Sequence, residues 1–296
     1  MWNLSYIEPV YRPPSEARSL IIQATNGCSW NRCRFCDMYT QSQKKFRPKP
    51  LAELEKELLE VKKSPVPFRR IFLADGDVMT LSFRRLQEIM QLINRLFPDI
   101  QRVSSYCLPR NLKNKSADEL RTLKEMGLRL LYVGCESGDD EILGYVEKGE
   151  TFESSLNALK KIKQAGMKSS VMILNGLGGI NFWQQHAINS AQLMNAAQPN
   201  YLSTLVVSFP LGMERFSEGF GGSFQPLDQH HLFLEMRTLL ENLDLKKTIF
   251  RSDHSSNYLI LKGVLNQDKE KLLQQVNAAI QQPENANLRQ EWQRGL

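Results

Sequence analysis

Apolar and polar positions alternate along this chain in short blocks. Ser19-Leu-Ile-Ile-Gln-Ala-Thr25 is a compact apolar run of strand length. Pro48 and Pro50 open a helix over 51–62 with apolar positions at Leu51, Leu54, Leu58, Leu59 and Val61, and Pro65 and Pro67 stop it. The pattern then predicts a strand over 70–74, a helix from Ser82 to about Phe97, and a strand over 103–108 cut off by Pro109. Ser116 with Glu119 three residues on forms a capping box, and Gly127 closes that helix. A strand over 128–134, a helix from about Thr151 to Ala165, a strand over 168–174, a helix from about Trp183 to Ala197 and a strand over 201–207 follow.

A strand–loop–helix unit thus recurs about every 30 to 35 residues, which predicts a parallel sheet with right-handed crossovers. Six such units predict an α/β fold, a partial (β/α)6 TIM-like barrel with the post-strand loops gathered at one face. Residues 1–18, with Pro9, Pro13 and Pro14, read as an extended lead-in, and 19–210 as the core domain. After Pro210 the rhythm breaks, and glycines at 212, 219, 221 and 222 mark a loop. Residues 211–296 read as a C-terminal α+β extension packed on the core and closing the barrel, with a loose polar tail.

Composition narrows the class without naming it. Of 296 residues, 42% are hydrophobic and 24% charged, an ordinary soluble globular balance. The formal net charge of +6 marks a mildly basic surface. The first residues lack the basic-then-apolar pattern of a secretion signal, and no run approaches the ~18 apolar residues of a membrane span. Five unevenly spaced cysteines argue against a disulfide framework and for a reducing compartment, here the cytoplasm.

Chemistry enters with the cysteines. Cys28, Cys33 and Cys36 fall within nine residues in a C-x4-C-x2-C spacing, directly after the first strand. Thiolates at such spacing hold soft metals or iron–sulfur clusters. A structural zinc site is closed by a fourth protein ligand, and none of His186, His230, His231 or His254 is near the loop in sequence. A cubane held by three cysteines keeps one iron open to a substrate or cofactor. Cys107 and Cys135, at strand ends, read as small buried thiols.

Together, the cysteine loop, Asp75-Gly76-Asp77 after the second strand and Glu136-Ser137-Gly138 after the fourth resemble the radical S-adenosylmethionine superfamily. More narrowly, they resemble the branch sharing its core with the elongator catalytic subunit, methylthiotransferases and oxygen-independent coproporphyrinogen oxidase. The resemblance covers about residues 18–210. It implies a [4Fe-4S] cluster on Cys28, Cys33 and Cys36, and S-adenosylmethionine chelating the open iron. Reductive cleavage then gives a 5′-deoxyadenosyl radical that takes hydrogen from a small-molecule or peptide substrate. It implies further that Tyr39 sits near the adenine and that Asp75, Gly76 and Asp77 receive the cofactor's amino group. Glu136 and Ser137 would face the ribose, Lys148 the carboxylate, and Gly176 in Asn175–Gly179 would pass close to the adenine. This chain departs from the commonest family pattern by one inserted residue between Cys28 and Cys33 and by Asp77 in place of glutamate.

The resemblance also implies a low-potential electron donor of flavodoxin or ferredoxin type. His254, between C-terminal elements, is the one substrate-side candidate. The alternative from another class is a non-catalytic binding protein, such as a haem carrier that keeps the cluster. RNA modification is disfavoured, since no platform of aromatic and basic residues is visible.

Overall fold

The computed structural model describes residues 4–295, so the first three residues of the lead-in and Leu296 lie outside the described residues. Two compact units emerge: residues through 31 with 38–133 and 160–169, and residues 32–37 with 134–159 and 170–296.

The first unit holds β1 (Leu20–Gln23), β2 (Thr25–Asn26), β3 (Arg47–Pro48), α1 (Leu51–Lys62), β4 (Arg70–Ala74), α2 (Phe83–Leu96), β5 (Arg102–Cys107), α3 (Ala117–Glu125) and most of β6 (Leu128–Glu136). Strands β1, β4, β5 and β6 pair in parallel in that order, with Leu20 opposite Ile71 and Ile71 opposite Val103. Ile71, Phe72, Leu73 and Ala74 are all buried, the continuous apolar run of a strand covered on both faces. Helix α2 buries Leu86, Ile89, Met90, Ile93 and Leu96 along one stripe, and Ser82 Oγ caps it by accepting from Arg85 N at 3.2 Å. The predicted capping box forms: Glu119 N donates to Ser116 Oγ (3.0 Å) and Ser116 N to Glu119 Oε2 (2.7 Å).

The lead-in is not simply extended, since Pro14–Glu16 forms a 3-10 turn. Its Glu16 is fully buried and accepts from Arg102 (2.7 Å), Ser104 (3.0 Å) and Tyr132 (2.6 Å). Further back, Ile7 N donates to Gln23 Oε1 (2.8 Å) and Tyr6 OH to Ile21 O (2.6 Å), fastening this segment to β1.

The second unit holds the end of β6, α4 (Asp140–Tyr145), the first part of α5 (Phe152–Gln164), most of β7 (Lys168–Asn175), α6 (Gly179–Ala197), β8 (Tyr201–Val206), α7 (Glu214–Gly219), α8 (Gln229–Asn242), β9 (Ile249–Ser252), β10 (Leu261–Val264) and α9 (Lys269–Gln281). Strands β7, β8 and β9 run parallel, and β10 returns antiparallel to β9. Four short elements of this unit, α4, α7, β9 and β10, lie outside the sequence reading. Strand β9 adds a further parallel partner, too short and too charged at Arg251 to show as an apolar run. Helix α7 occupies part of the expected loop, held by Phe216, which is 1% exposed against Phe209, Phe220 and Phe224. The polar tail is fastened as well: Arg289 donates to the carbonyls of His254 (2.6 Å) and Asn257 (2.9 Å), and Arg294 to that of Ser256 (2.8 Å). No helix among the described residues is long and apolar enough to cross a membrane.

Candidate functional site

In the first unit the candidate residues follow β1 and β4. Gly27 has a φ of +68°, and a Cβ there would stand 2.0 Å from the carbonyl oxygen of Lys44, so only glycine fits ahead of the half-buried Cys28. Asp75 is fully buried. Its Oδ2 accepts from Lys44 Nζ, from Gln23 Nε2 at 3.2 Å and from Gly27 N at 3.4 Å, while its Oδ1 has no hydrogen-bond partner. Lys44, also fully buried, donates to Ile7 O (2.9 Å) and stands 5.7 Å over the Tyr39 ring. Gly76 lies flat against that ring, because a Cβ would come within 2.5 Å of it. Asp77 is buried, and burial pushes its pKa up. Ser29 and Asn111 hold that shift back by hydrogen bonding to its carboxylate.

In the second unit the other two cysteines stand on a tight turn. Cys36 N donates to Cys33 O (3.2 Å) and Arg34 N to Val146 O (2.9 Å). Phe35 packs on the apolar cluster of Ile142, Val146, Leu177 and Phe220. Lys148 Nζ stands 5.6 Å over the Phe35 ring and 3.0 Å from Glu136 Oε1. Burial works against its charge, but Glu136 and the nearby Cys33 outweigh it, so Lys148 titrates above the ordinary lysine range. Glu136 closes β6 with a φ of +67°, and its carboxylate folds back over Gly134, where a Cβ would meet Oε1 at 2.1 Å. Ser137 Oγ accepts from Asp139 N (3.0 Å), and Gly138 N donates to Ser190 Oγ (3.0 Å).

Gly176, at a φ of +83°, donates its N–H to Glu235 Oε2 (2.7 Å), and Asn175 Nδ2 reaches the same oxygen (3.1 Å). Glu235 Oε1 is 2.9 Å from His186 Nδ1, and His186 Nε2 is 3.3 Å from the carbonyl of Glu136. This buried pair thus joins the ends of β6 and β7, and neither residue was among the sequence candidates. Glu235 left one trace, a carboxylate on the face of α8 that buries Leu232 and Met236.

His254 does not join these groups. Its Nδ1 is 2.9 Å from Ser256 Oγ, and burial and Arg289 lower its pKa. Cys107 and Cys135 are buried thiols, and burial, aided by Glu136, pushes Cys135 up to about 12. Among the described residues, no three His, Cys, Asp or Glu side chains already stand in a metal-holding arrangement.

Residues 22–191, more than half of the chain, match the radical SAM superfamily. The chain belongs to this superfamily. Its cofactors are those of the radical SAM proteins, a [4Fe-4S] cluster and S-adenosylmethionine. Among curated relatives, the heme chaperone HemW of Bacillus subtilis is 26% identical over 185 residues, 59% of this chain and 47% of HemW. The chain therefore spans about half the length of that relative. Coproporphyrinogen III oxidase (HemN) of Escherichia coli, a radical SAM enzyme, superposes with a TM-score of 0.55 at 16% identity, over 76% of this chain and 52% of HemN. The structure of anSMEcpe with bound AdoMet gives a TM-score of 0.56 at 15% identity, over 76% of this chain and 58% of the other. These likenesses carry the fold, the parallel-dominated TIM-like partial barrel expected from the strand–helix rhythm.

Proposed function

We propose that this chain is a radical SAM enzyme whose cluster is held by Cys28, Cys33 and Cys36. One observation carries the reading: three thiols within nine residues of the matched span, with no histidine or further cysteine beside them in sequence, two of them on a fastened turn. The chemistry of Asp75 suits the amino group of the second cofactor. Asp75 keeps a buried carboxylate oxygen with no hydrogen-bond partner, the kind of acceptor an ammonium group satisfies. Held by Cys28, Cys33 and Cys36, the reduced cluster would supply the one electron for reductive cleavage of S-adenosylmethionine, and the cofactor in turn the means of taking hydrogen from the substrate.

The protein's part is placement. Asp75, Gly76 and Asp77 receive the amino group, with Gly76 pressed against Tyr39. Glu136 and Ser137 take the ribose hydroxyls. Lys148 holds the Glu136 carboxylate in place and adds positive charge for the carboxylate end of the cofactor. Gly176, without a side chain, lets backbone approach the adenine. The substrate is a small molecule or peptide, the electron donor a low-potential flavodoxin or ferredoxin, and the compartment the reducing cytoplasm. Residues 19–210 form the core in this reading, and 211–296 an extension that completes it. His254, tied to Ser256, stays a substrate-side candidate of second rank.

Anaerobic reconstitution with iron and sulfide, then dithionite and S-adenosylmethionine, should release 5′-deoxyadenosine, and Cys33→Ala should release none. A reconstituted protein with intact cluster spectra and no cleavage would sink the reading. The likeness to a heme chaperone favours a second one, a haem carrier. Its signature is a tight haem complex together with no cofactor cleavage.

A further inference from the structure

We propose that Arg215, on α7, is a positioning residue for the cluster-bearing turn and sets the potential at which the cluster accepts its electron. The inference rests on the reading of Cys33 and Cys36 as cluster ligands. Arg215 Nη2 stands 2.7 Å from the carbonyl oxygen of Cys36, 3.2 Å from those of Cys33 and Arg34, and 3.1 Å from Asp37 Oδ1. The terminal nitrogen of one guanidinium thus gathers three of the carbonyls of a C-x2-C turn, and two of them belong to the proposed ligands themselves. A guanidinium is permanently charged and its N–H groups are fixed in a plane, so it fixes geometry as well as charge.

The contact is reciprocal. Arg34, inside the turn, donates through Nη1 to the carbonyl of Arg215 (2.9 Å) and to Glu218 Oε2 (3.2 Å), and through Nη2 to Glu147 Oε1 (2.7 Å). Gly219 makes room for this, since a Cβ there would meet Arg34 Cδ at 2.8 Å and the carbonyl of Tyr145 at 2.1 Å. Each arginine therefore binds the other's backbone, which an ordinary exposed ion pair does not do. Helix α7 is in turn anchored by the buried Phe216. It also lies outside the span matched by the superfamily, so the superfamily match does not account for this clamp.

Reduction adds one electron from the donor to the cluster and one negative charge to its surroundings. A fixed positive charge beside two ligand residues favours the reduced form and raises the midpoint potential. Without Arg215, the three carbonyls and the Asp37 carboxylate face the turn unopposed, and the potential falls.

The experiment is a potentiometric titration followed by electron paramagnetic resonance on the full chain, reconstituted anaerobically. It compares wild type with Arg215→Gln and Arg215→Lys. Arg215→Gln should show a more negative midpoint potential and retain less iron per chain after gel filtration. Arg215→Lys should recover part of the potential and little of the iron, because it restores charge without the rigid plane and the reach of the guanidinium. Should Arg215→Gln fail to fold, Arg34→Gln loosens the same clamp from the turn side and should move the potential and the iron content in the same direction by less. A normal wild-type cluster whose potential and iron content neither glutamine variant moves overturns the proposal alone. A wild type that takes up no [4Fe-4S] cluster overturns the ligand reading and this proposal with it.

Discussion

His186 shows what one residue can contribute here. Its Nε2 faces a backbone carbonyl and its Nδ1 a carboxylate, and both are acceptors, so both ring nitrogens carry protons when Glu235 is ionised. Burial opposes that charge, but Glu235 outweighs it, and the pKa of His186 is raised. The stability gained is fully present below about pH 6.5, the unfolded value, and drains away as pH rises through the higher native one. Glu235→Gln should therefore cost on the order of 3 kcal/mol at pH 6. The cost should shrink in urea melts at pH 9, and an equal loss at both pH values would refute the charged pair. Residues of this kind were the least legible in the sequence. Glu16, Lys44, Arg215 and Glu235 work through partners tens to nearly two hundred positions away. Pairing over such separations leaves no periodic trace. Cys28, Cys33 and Cys36 stood out as candidates because their spacing is local.

Elements were easier to read, because a strand or helix buries one face and repeats itself. The six expected parallel strands and the helices between them all form, with ends shifted by a few residues. Helix α6 begins at Gly179, ahead of the expected Trp183, because its first turn carries little periodic apolar signal. Helices α4 and α7 and strands β9 and β10 left no signal because six and four residues are too few to show a period. Helix α2 offers the direct test of packing. Ile93 is fully buried, so Ile93→Ala should cost about 2–5 kcal/mol, whereas losing the α3 cap through Ser116→Ala should cost about 1 kcal/mol. Chemical denaturation of the two variants checks the order, and an Ile93→Ala loss below that of Ser116→Ala would contradict the assigned burial.

At the scale of the whole molecule, the strand–helix rhythm made the fold class legible, while the dependence of the matched span on later chain was not. Within 22–191, Arg34 is fastened by Arg215 and Glu218, and His186 and Gly176 by Glu235. Those partners are supplied by α7 and α8. The consequence concerns recombination. A chimera that joins this chain's first 191 residues to the remainder of a relative would inherit the cysteines and lose the groups that hold their turn. Such hybrids should express with less bound iron and melt at lower temperature than either parent. Hybrids in which Arg34 travels with Arg215, and His186 with Glu235, should recover both, so that a crossover past residue 242 is tolerated where one at 191 is not.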